Sequence, residues 1–207
     1  MIFEKLGGLD MACICLFLLG SVSNMSIAQS NNSPTAIIDF QRSQELDNWV
    51  IINDTVMGGR SRARLTINDS YLLFSGTLSL ENNGGFASVR RVHDGKVWLS
   101  DKPIKIQVKG DGREYQLRFR INRRVDSVHY GVSFKTKANE VTVFQFNESD
   151  FVPQFRGRIL KDAPALDFAN IEQVGVLIAD SIAGDFMLMI ESISQLPDGP
   201  TTSSLSW

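Results

Sequence analysis

The chain has 207 residues, of which 43% are hydrophobic and 21% are charged, a composition sufficient for one globular domain with a substantial core. The 21 basic and 23 acidic residues leave a formal net charge of −2, which excludes a global field that would attract the protein to nucleic acid or to an anionic membrane. No nucleic-acid partner is therefore expected.

The first 28 residues differ from the rest of the chain. An apolar block at residues 11–20 is followed by small residues at 26–28, an order typical of the hydrophobic region and cleavage site of a signal peptide. The block is shorter than the roughly 20 residues that cross a bilayer as a helix, so we expect cleavage and no stable membrane insertion. Glu4 and Asp10 make the leading segment acidic, whereas the corresponding segment of a signal peptide is normally positive. Translation starting at Met11 would remove this segment.

This segment predicts an exported protein, either periplasmic or extracellular. A mitochondrial presequence fits less well, because such segments are rich in arginine and the first arginine here is Arg42. Both cysteines, Cys13 and Cys15, lie in the predicted signal peptide, residues 1–28. The mature domain is therefore expected to contain no disulfide and no thiolate metal site.

Residues 29–35 are polar and are predicted to form a flexible lead-in, the folded domain is predicted to span 36–196, and residues 197–207 are predicted to be a flexible tail. Within the domain, short runs typical of β-strands recur between turn residues. They occupy residues 36–40, 49–52, 63–67, 71–74, 77–80, 86–91, 104–108, 115–121, 128–135, 140–146, 174–178 and 186–193. Apolar and polar residues alternate most clearly in 104–108 and 115–121, which predicts strands with one buried face.

Helical signals are nearly absent. The best candidate is a short turn at residues 167–172, which Asp167 is placed to cap. Many short strands with almost no helix predict an all-β sandwich or barrel.

A first glycine-rich stretch, residues 53–61, lies between two of these runs. Its adjacent glycines, Gly58 and Gly59, permit backbone conformations that a side chain makes costly. Asp54 can accept hydrogen bonds from the backbone of such a turn or can point outward to a ligand, and the bracing role is favoured. As candidates for contact with a ligand or partner, the stretch offers Asp54, Met57, Gly58, Gly59 and Ser61.

A second stretch, residues 83–90, has the same build, with Gly84 and Gly85 leading into a strand that carries Arg90. Residues 54–61 and 83–90 together resemble the complex I intermediate-associated protein 30 family, which has a D-x-V-M-G-G-x-S signature and a downstream G-G-F-A-S-V-R block. Residues 151–158 are similar to its F-V-P-x-x-R-G-R segment, and residues 184–193 to its terminal strand. The resemblance extends from about residue 37 to residue 196.

This resemblance implies a galactose-binding-like β-sandwich, or jelly roll, in agreement with the strand pattern. Family members in mitochondria assist the assembly of respiratory complex I, and related domains in photosynthetic organisms act in the biogenesis of other membrane complexes. None is an established enzyme, and no cofactor is implied. An exported chain would not meet the parts of complex I that face the matrix or cytoplasm. We therefore expect this chain to share the family's fold more surely than the family's role.

Arginines give a further signal. Arg118 and Arg120 lie on the polar face of one predicted strand, and if that strand lies near Arg90 the three side chains form a cationic face. Such a face suits a carboxylate, a phosphate or an acidic protein surface. The alternative is an ordinary solvated face whose arginines pair with nearby acids such as Glu114 and Asp126. The other arginines near these motifs are Arg91, Arg123, Arg124, Arg156 and Arg158.

Aromatic residues could instead form a stacking platform for a sugar. The candidates are Trp49, Tyr71, Trp98, Tyr115 and Tyr130, for which a place in the core is the favoured interpretation. Only Trp98 is expected to be exposed, because polar residues surround it.

No catalytic or metal site is predicted. His93 and His129 are the only histidines, and neither is spaced to share a metal with another ligand. The leading hypothesis is a non-enzymatic assembly factor, or chaperone, that binds a protein partner such as a subunit of a membrane or envelope complex. The alternative is a secreted carbohydrate-binding module that uses Trp98 and Asp54.

Overall fold

The computed structural model describes residues 35–40, 43–68, 70–92 and 98–195. The predicted signal peptide and tail, and nearly all of the lead-in, lie outside these residues. Thirteen strands are present in the described residues: β1 Thr35–Asp39, β2 Trp49–Asn53, β3 Arg62–Asn68, β4 Tyr71–Leu78, β5 Ala87–Val92, β6 Ile104–Gly110, β7 Glu114–Arg120, β8 His129–Lys135, β9 Val141–Phe146, β10 Val152–Phe155, β11 Arg158–Ile159, β12 Gln173–Ile178 and β13 Gly184–Gln195. Short 3₁₀ helices lie at Ser43–Asn48, Asp54–Met57, Glu81–Asn83, Glu148–Asp150 and Phe168–Asn170.

The strands form two antiparallel sheets. The first has the order β3-β4-β13-β6-β9, and β1 also pairs with β13. The second has the order β11-β10-β8-β7-β12-β5-β2. The predicted all-β sandwich is therefore confirmed.

The core lies between the sheets and follows directly from the period-two pattern. In β7, Leu117 and Phe119 point inward and are fully buried, as are Leu188 and Ile190 of β13. Burial of such side chains contributes roughly 1.5 to 3 kcal/mol each. This alternation fixes which side chains of β7 face outward, since a slip of one residue would exchange the two faces.

The expected exposure of Trp98 is wrong. Its indole packs against Phe119, with ring centroids 5.9 Å apart, and the residue is only 1% exposed. Trp49, Tyr115 and Tyr130 are also buried, so these aromatic residues do not form an exposed platform for a sugar. The polar residues near Trp98 in sequence do not predict its burial, because the indole packs against Phe119, which is distant in the chain.

Some element boundaries also differ from the prediction. The run at 71–74 and the first half of the run at 77–80 belong to one strand, β4, because Gly76 sits inside the ladder, where a Cβ atom would lie 2.0 Å from the Arg62 carbonyl oxygen. Strands β10 and β11 were not predicted, since Pro153 and Gly157 favour a turn. The short turn near residue 168 is confirmed, with the Asp167 carboxylate accepting a hydrogen bond from Ala169 N at 2.9 Å.

A buried ion pair fastens the first 3₁₀ helix to the second sheet. Arg91 is fully buried on the inner side of β5, and its Nη2 donates to Glu45 Oε2 at 3.1 Å. Trp49 Nε1 donates to the other oxygen of the same carboxylate at 3.3 Å. Removing one partner of such a pair leaves a charge with no compensation inside the protein.

We expect Glu45→Ala to lower the free energy of unfolding by roughly 3 kcal/mol, because Arg91 would keep its buried charge without this carboxylate. Urea denaturation followed by circular dichroism measures the change. The matched control is Glu172→Ala, which removes an exposed pair with Arg123 and should cost less than about 1 kcal/mol. Equal losses in the two variants would contradict the assignment.

Candidate functional site

The two glycine-rich stretches meet at the carboxylate of Asp54, which is fully buried. This carboxylate accepts hydrogen bonds from Ser61 N at 2.9 Å, Ser61 Oγ at 2.5 Å and Gly85 N at 2.7 Å, with a longer contact from Phe86 N at 3.4 Å. The backbone N–H of Asp54 also donates to the Phe86 carbonyl oxygen at 3.2 Å. One side chain thus ties the loop after β2 to the loop before β5.

The glycines of each pair have different tasks. A Cβ atom on Gly59 would lie 2.3 Å from Asp54 Cγ, and one on Gly84 would lie 2.5 Å from Asp54 Oδ2. These two glycines therefore provide the space for the carboxylate. Their neighbours Gly58 and Gly85 have φ values of +89° and +121°, a region that other residues adopt only with strain.

Hydrogen bonding keeps the Asp54 carboxylate ionised. Burial alone would raise its pKa, but the bonds from Ser61, Gly85 and Phe86 together outweigh burial and hold the pKa below its ordinary value. Asp54, Gly59 and Ser61 are all buried, so these three residues of the signature shape the loops from inside the protein. The favoured bracing role of Asp54 agrees with this geometry.

A groove with a volume of about 770 Å³ opens on the outer face of the second sheet. Strand register places its central side chains: Arg90 of β5 and Arg118 of β7 both lie opposite Gly175 of β12, and Arg118 also lies opposite Gly131 of β8. Arg120 lies two residues along from Arg118, on the same face. The three arginines predicted to form a cationic face are thus brought together in one groove.

The groove arginines, Arg90, Arg118 and Arg120, are half-buried and make no salt bridge with any carboxylate among the described residues. Burial lowers the pKa of Arg118 to about 10, with a further contribution from the charge of Arg90. Burial also lowers the pKa of Arg120 to about 10, helped by Arg90 and Arg118. All three remain protonated near neutral pH, so the groove is cationic.

His129 lies beside the arginines at the start of β8 and is only 5% exposed. Burial, together with the charges of Arg118 and Arg120, lowers its pKa to about 3 despite a hydrogen bond to Gln154 that acts in the opposite direction. Its imidazole is therefore neutral near pH 7. The buried Nε2 atom has no hydrogen-bond partner among the described residues, and neither does Arg120 Nε.

The edge of the groove is apolar and exposed. Val56, Met57 and Val125 are 71%, 68% and 77% exposed, and together they form the apolar rim of the groove. At one end the Arg156 guanidinium lies 5.3 Å from the centre of the Phe155 ring and pairs with Asp126 at 2.5 Å. A ligand in the groove would therefore meet positive charge on the floor and apolar surface at the rim.

The predicted site residues separate into two groups. Met57, Arg90, Arg118 and Arg120 line the groove. The others belong to the loop brace: Asp54, Gly58, Gly59, Ser61, Gly84 and Gly85. A binding role for the groove residues stays a prediction.

Sequence reasoning missed His129, Phe155 and Val125 as lining residues. His129 shares a strand face with Gly131, which lies opposite Arg118, so correct strand order would have revealed it. Phe155 belongs to a segment singled out by the family resemblance. Val125 lies in a loop, and no pattern in the sequence places it.

The described residues contain neither a cluster of metal-binding side chains nor a helix suited to crossing a membrane. No group of three or more His, Cys, Asp or Glu side chains is placed to hold a metal ion there. None of the helices in the described ranges has the length and apolar character needed to cross a bilayer.

Sequence comparison matches residues 38–190 to the family model of complex I intermediate-associated protein 30. Among similar proteins, the mitochondrial complex I intermediate-associated protein 30 of Mus musculus is 26% identical over 192 residues, covering 81% of this chain and 58% of the mouse protein. The chain thus spans less than two thirds of that relative's length. An uncharacterised protein of Schizosaccharomyces pombe is 29% identical over 169 residues, covering 70% of this chain and 76% of that protein.

Solved structures share the fold at low sequence identity. A family 11 carbohydrate-binding module of a cellulosomal cellulase from Clostridium thermocellum has a TM-score of 0.59 at 16% identity, covering 82% of this chain and 97% of the module. An agarase has a TM-score of 0.54 at 11% identity, covering 80% of this chain and 25% of the agarase. At these identities the similarity shows a common β-sandwich and nothing about the ligand.

The predicted export is wrong, because the mouse relative that matches 81% of this chain is a mitochondrial protein. The prediction rested on residues 1–28, which lie outside the described residues. An apolar block followed by small residues indicates a signal peptide by composition only, and Glu4 and Asp10 do not fit the positive segment that normally precedes it.

We expect Asp54→Ala to lower the free energy of unfolding by roughly 3 kcal/mol, because the N–H groups of Ser61 and Gly85 would lose their buried acceptor. Gly59→Ala should cost roughly 2 kcal/mol by forcing a methyl group against the same carboxylate. Urea denaturation of the purified variants measures both losses.

The double variant sharpens this test. Gly59→Ala should cost less in the Asp54→Ala background, because the carboxyl group that its methyl would meet is gone. Asp162→Ala, which removes an exposed carboxylate, is the control and should change stability by less than about 0.5 kcal/mol. Strict additivity of the Asp54 and Gly59 losses would refute the shared contact.

Stability should fall on acidification because of His129. Its pKa is about 3 in the folded protein and about 6.5 in an unfolded chain, so between these values only the unfolded chain gains a proton. The stability linked to this group is full above pH 6.5 and is lost as the pH falls towards 3, by about 2 kcal/mol at pH 5.

Urea denaturation at pH 7 and pH 5 measures this dependence. In His129→Gln, the difference in the free energy of unfolding between pH 7 and pH 5 should be smaller by that amount. His93→Gln, which removes the other histidine of the chain, is the matched control. An unaltered pH dependence in His129→Gln would contradict the assignment.

Proposed function

Because the chain belongs to the complex I intermediate-associated protein 30 family, we propose that it is a non-enzymatic protein-binding β-sandwich that assists the assembly of a membrane protein complex. The mouse relative is named for association with an intermediate of complex I. A subunit of a respiratory membrane complex is accordingly the class of partner that we propose for this chain.

The observation that carries the proposal is the combined chemistry of the groove. Its floor presents Arg90, Arg118 and Arg120, while its rim exposes Val56 and Met57. Arginine and methionine are enriched in protein interfaces, and a polar or charged group surrounded by apolar contacts is typical of the energetic centre of such interfaces. An ordinary solvated strand face with no binding role would not need exposed apolar side chains at its edge.

Carbohydrate binding is the competing function, and it draws support from the shared fold. Sugar-binding sites commonly use exposed aromatic rings for stacking, and here Trp49, Trp98, Tyr115 and Tyr130 are buried. The aromatic side chains that line the groove are Phe86 and Phe155, and both are half-buried. The groove chemistry therefore favours a protein partner over a neutral sugar.

Affinity capture from detergent-solubilised membranes of the source organism tests the proposal. The tagged full chain should recover subunits of one membrane complex, identified by quantitative mass spectrometry. The double variant Arg118→Ala/Arg120→Ala should recover at least about tenfold less, a factor that corresponds to about 1.4 kcal/mol, because it removes the centre of the binding surface.

The control is Arg62→Ala/Arg64→Ala, which removes two exposed arginines from the outer face of the first sheet and should recover the same subunits as the unaltered chain. Equal recovery by the groove variant would exclude the groove as the binding surface. Recovery of no membrane subunit, combined with specific binding on a glycan array, would favour carbohydrate binding instead.

A further inference from the structure

The groove arginines differ from the other arginines of the described residues that are buried or half-buried. Arg91 holds Glu45, and Arg113 holds Asp180 at 2.6 Å. Arg90, Arg118 and Arg120 form no salt bridge with a carboxylate in the part of the chain that the structure describes. Among the described residues, each interior arginine therefore has an acidic partner, whereas the carboxylate that lines the groove, Asp126, pairs with Arg156 and not with the groove arginines.

The groove arginines also lie close enough to affect one another. The charge of Arg90 disfavours protonation of Arg118, and the charges of both disfavour protonation of Arg120. Partly dehydrated like charges repel each other, so this arrangement costs stability unless an anion enters. An anion in the groove would remove that repulsion for all three guanidinium groups.

A buried polar atom points to the same conclusion. Arg120 Nε has no hydrogen-bond partner among the described residues, although buried polar atoms in proteins are nearly always paired. A guanidinium nitrogen can only donate, so Arg120 Nε lacks an acceptor. An anionic oxygen in the groove would supply that acceptor.

The apolar rim restricts the kind of anion. Val56, Met57 and Val125 are exposed around the cationic floor, so a free inorganic anion would use the floor and leave the rim uncovered. The rim also carries the carboxylate of Asp126, paired with Arg156, which opposes the entry of a densely charged polyanion. The groove suits a ligand with few negative charges and adjoining apolar groups.

We infer that the groove binds an acidic segment of the partner protein, with an Asp or Glu carboxylate among Arg90, Arg118 and Arg120 and an adjoining apolar side chain against Val56 and Met57. The inference deepens the proposed function and rests on it. Arginine and carboxylate form paired hydrogen bonds in a fixed geometry, as Arg113 does with Asp180 in this same chain.

Selection of random short peptides displayed on phage, with the full chain as bait, tests the inference without knowledge of the partner. The selected peptides should be enriched in Asp or Glu next to an apolar residue. The same selection on Arg120→Leu should lose that enrichment, because this variant lacks the guanidinium whose Nε is unpaired. A pool without acidic enrichment would overturn the inference.

Calorimetric titration of the most enriched peptide then measures the contacts individually. Replacing its acidic residue by the matching amide should weaken binding at least about tenfold, and Arg120→Leu should do the same. Arg64→Leu, on the outer face of the first sheet, should change affinity by less than about twofold. Binding that is insensitive to the amide replacement would overturn the inference.

Thermal unfolding separates binding from a structural role. Arg120→Leu should leave the melting temperature unchanged or raise it, because it removes one of three mutually repelling charges. Arg120→Lys, which keeps the charge without the planar fork, should fold as well as the unaltered chain and bind the peptide more weakly. A large fall in melting temperature in both variants would assign Arg120 to the fold.

Two further probes distinguish other anions. Inorganic phosphate and vesicles of phosphatidylglycerol should bind no more tightly than the selected peptide. Tighter binding of either probe, lost in Arg120→Leu, would replace the acidic segment by a phosphate or a lipid surface. If membrane capture succeeds through the groove while peptide selection shows no acidic preference, the proposed function stands and this inference fails.

Discussion

The structure depends on one buried carboxylate. Asp54 accepts hydrogen bonds from Ser61 in its own loop and from Gly85, which lies 31 residues further along the chain, and this fixes the end of β2 against the start of β5. The Ser61 hydroxyl extends the network to the end of β4 by accepting a hydrogen bond from Ser79 N at 3.0 Å. Met57 follows Asp54 within the same 3₁₀ helix, so the brace inside the protein also positions part of the groove rim outside it.

The brace and the groove follow opposite electrostatic rules. At Asp54 a buried charge is surrounded by donors, and its pKa is held below the ordinary value. In the groove, positive charges collect without acidic partners, and burial lowers the pKa of Arg118 and Arg120. Natural proteins accept such conflicts mainly where function requires them. The contrast within one sheet is the physical reason to place binding at the arginines and stability at the aspartate.

Much of the fold was accessible from sequence, because alternation and turn residues are local signals. Residues 115–121 show the period of two that places Leu117 and Phe119 inside and Arg118 and Arg120 outside. The bracing role of Asp54 was also accessible, since an aspartate near paired glycines has few other local partners. These inferences need no knowledge of which strands are neighbours.

The rest required that knowledge. Arg90 and Arg118 lie on different strands, and only the placement of β12 between β5 and β7 brings them onto one row. The same long-range packing buries Trp98 against Phe119, which the polar residues near it in sequence do not reveal. In the sequence His129 is an isolated histidine, because its neighbours in the groove come from elements distant in the chain.

The two glycines of each pair tolerate different substitutions, because they have different structural roles. Gly58 is needed for its positive φ angle, and Gly59 is needed because there is no space for a Cβ atom. In the second pair the order is reversed, since Gly84 lacks space for a Cβ atom and Gly85 has the positive φ angle. An asparagine, which tolerates the left-handed region, is the more acceptable replacement at Gly58, whereas even a methyl group is too large at Gly59. The two glycines of each pair are therefore required for different physical reasons. A search for distant relatives should accept different substitutions at the two positions.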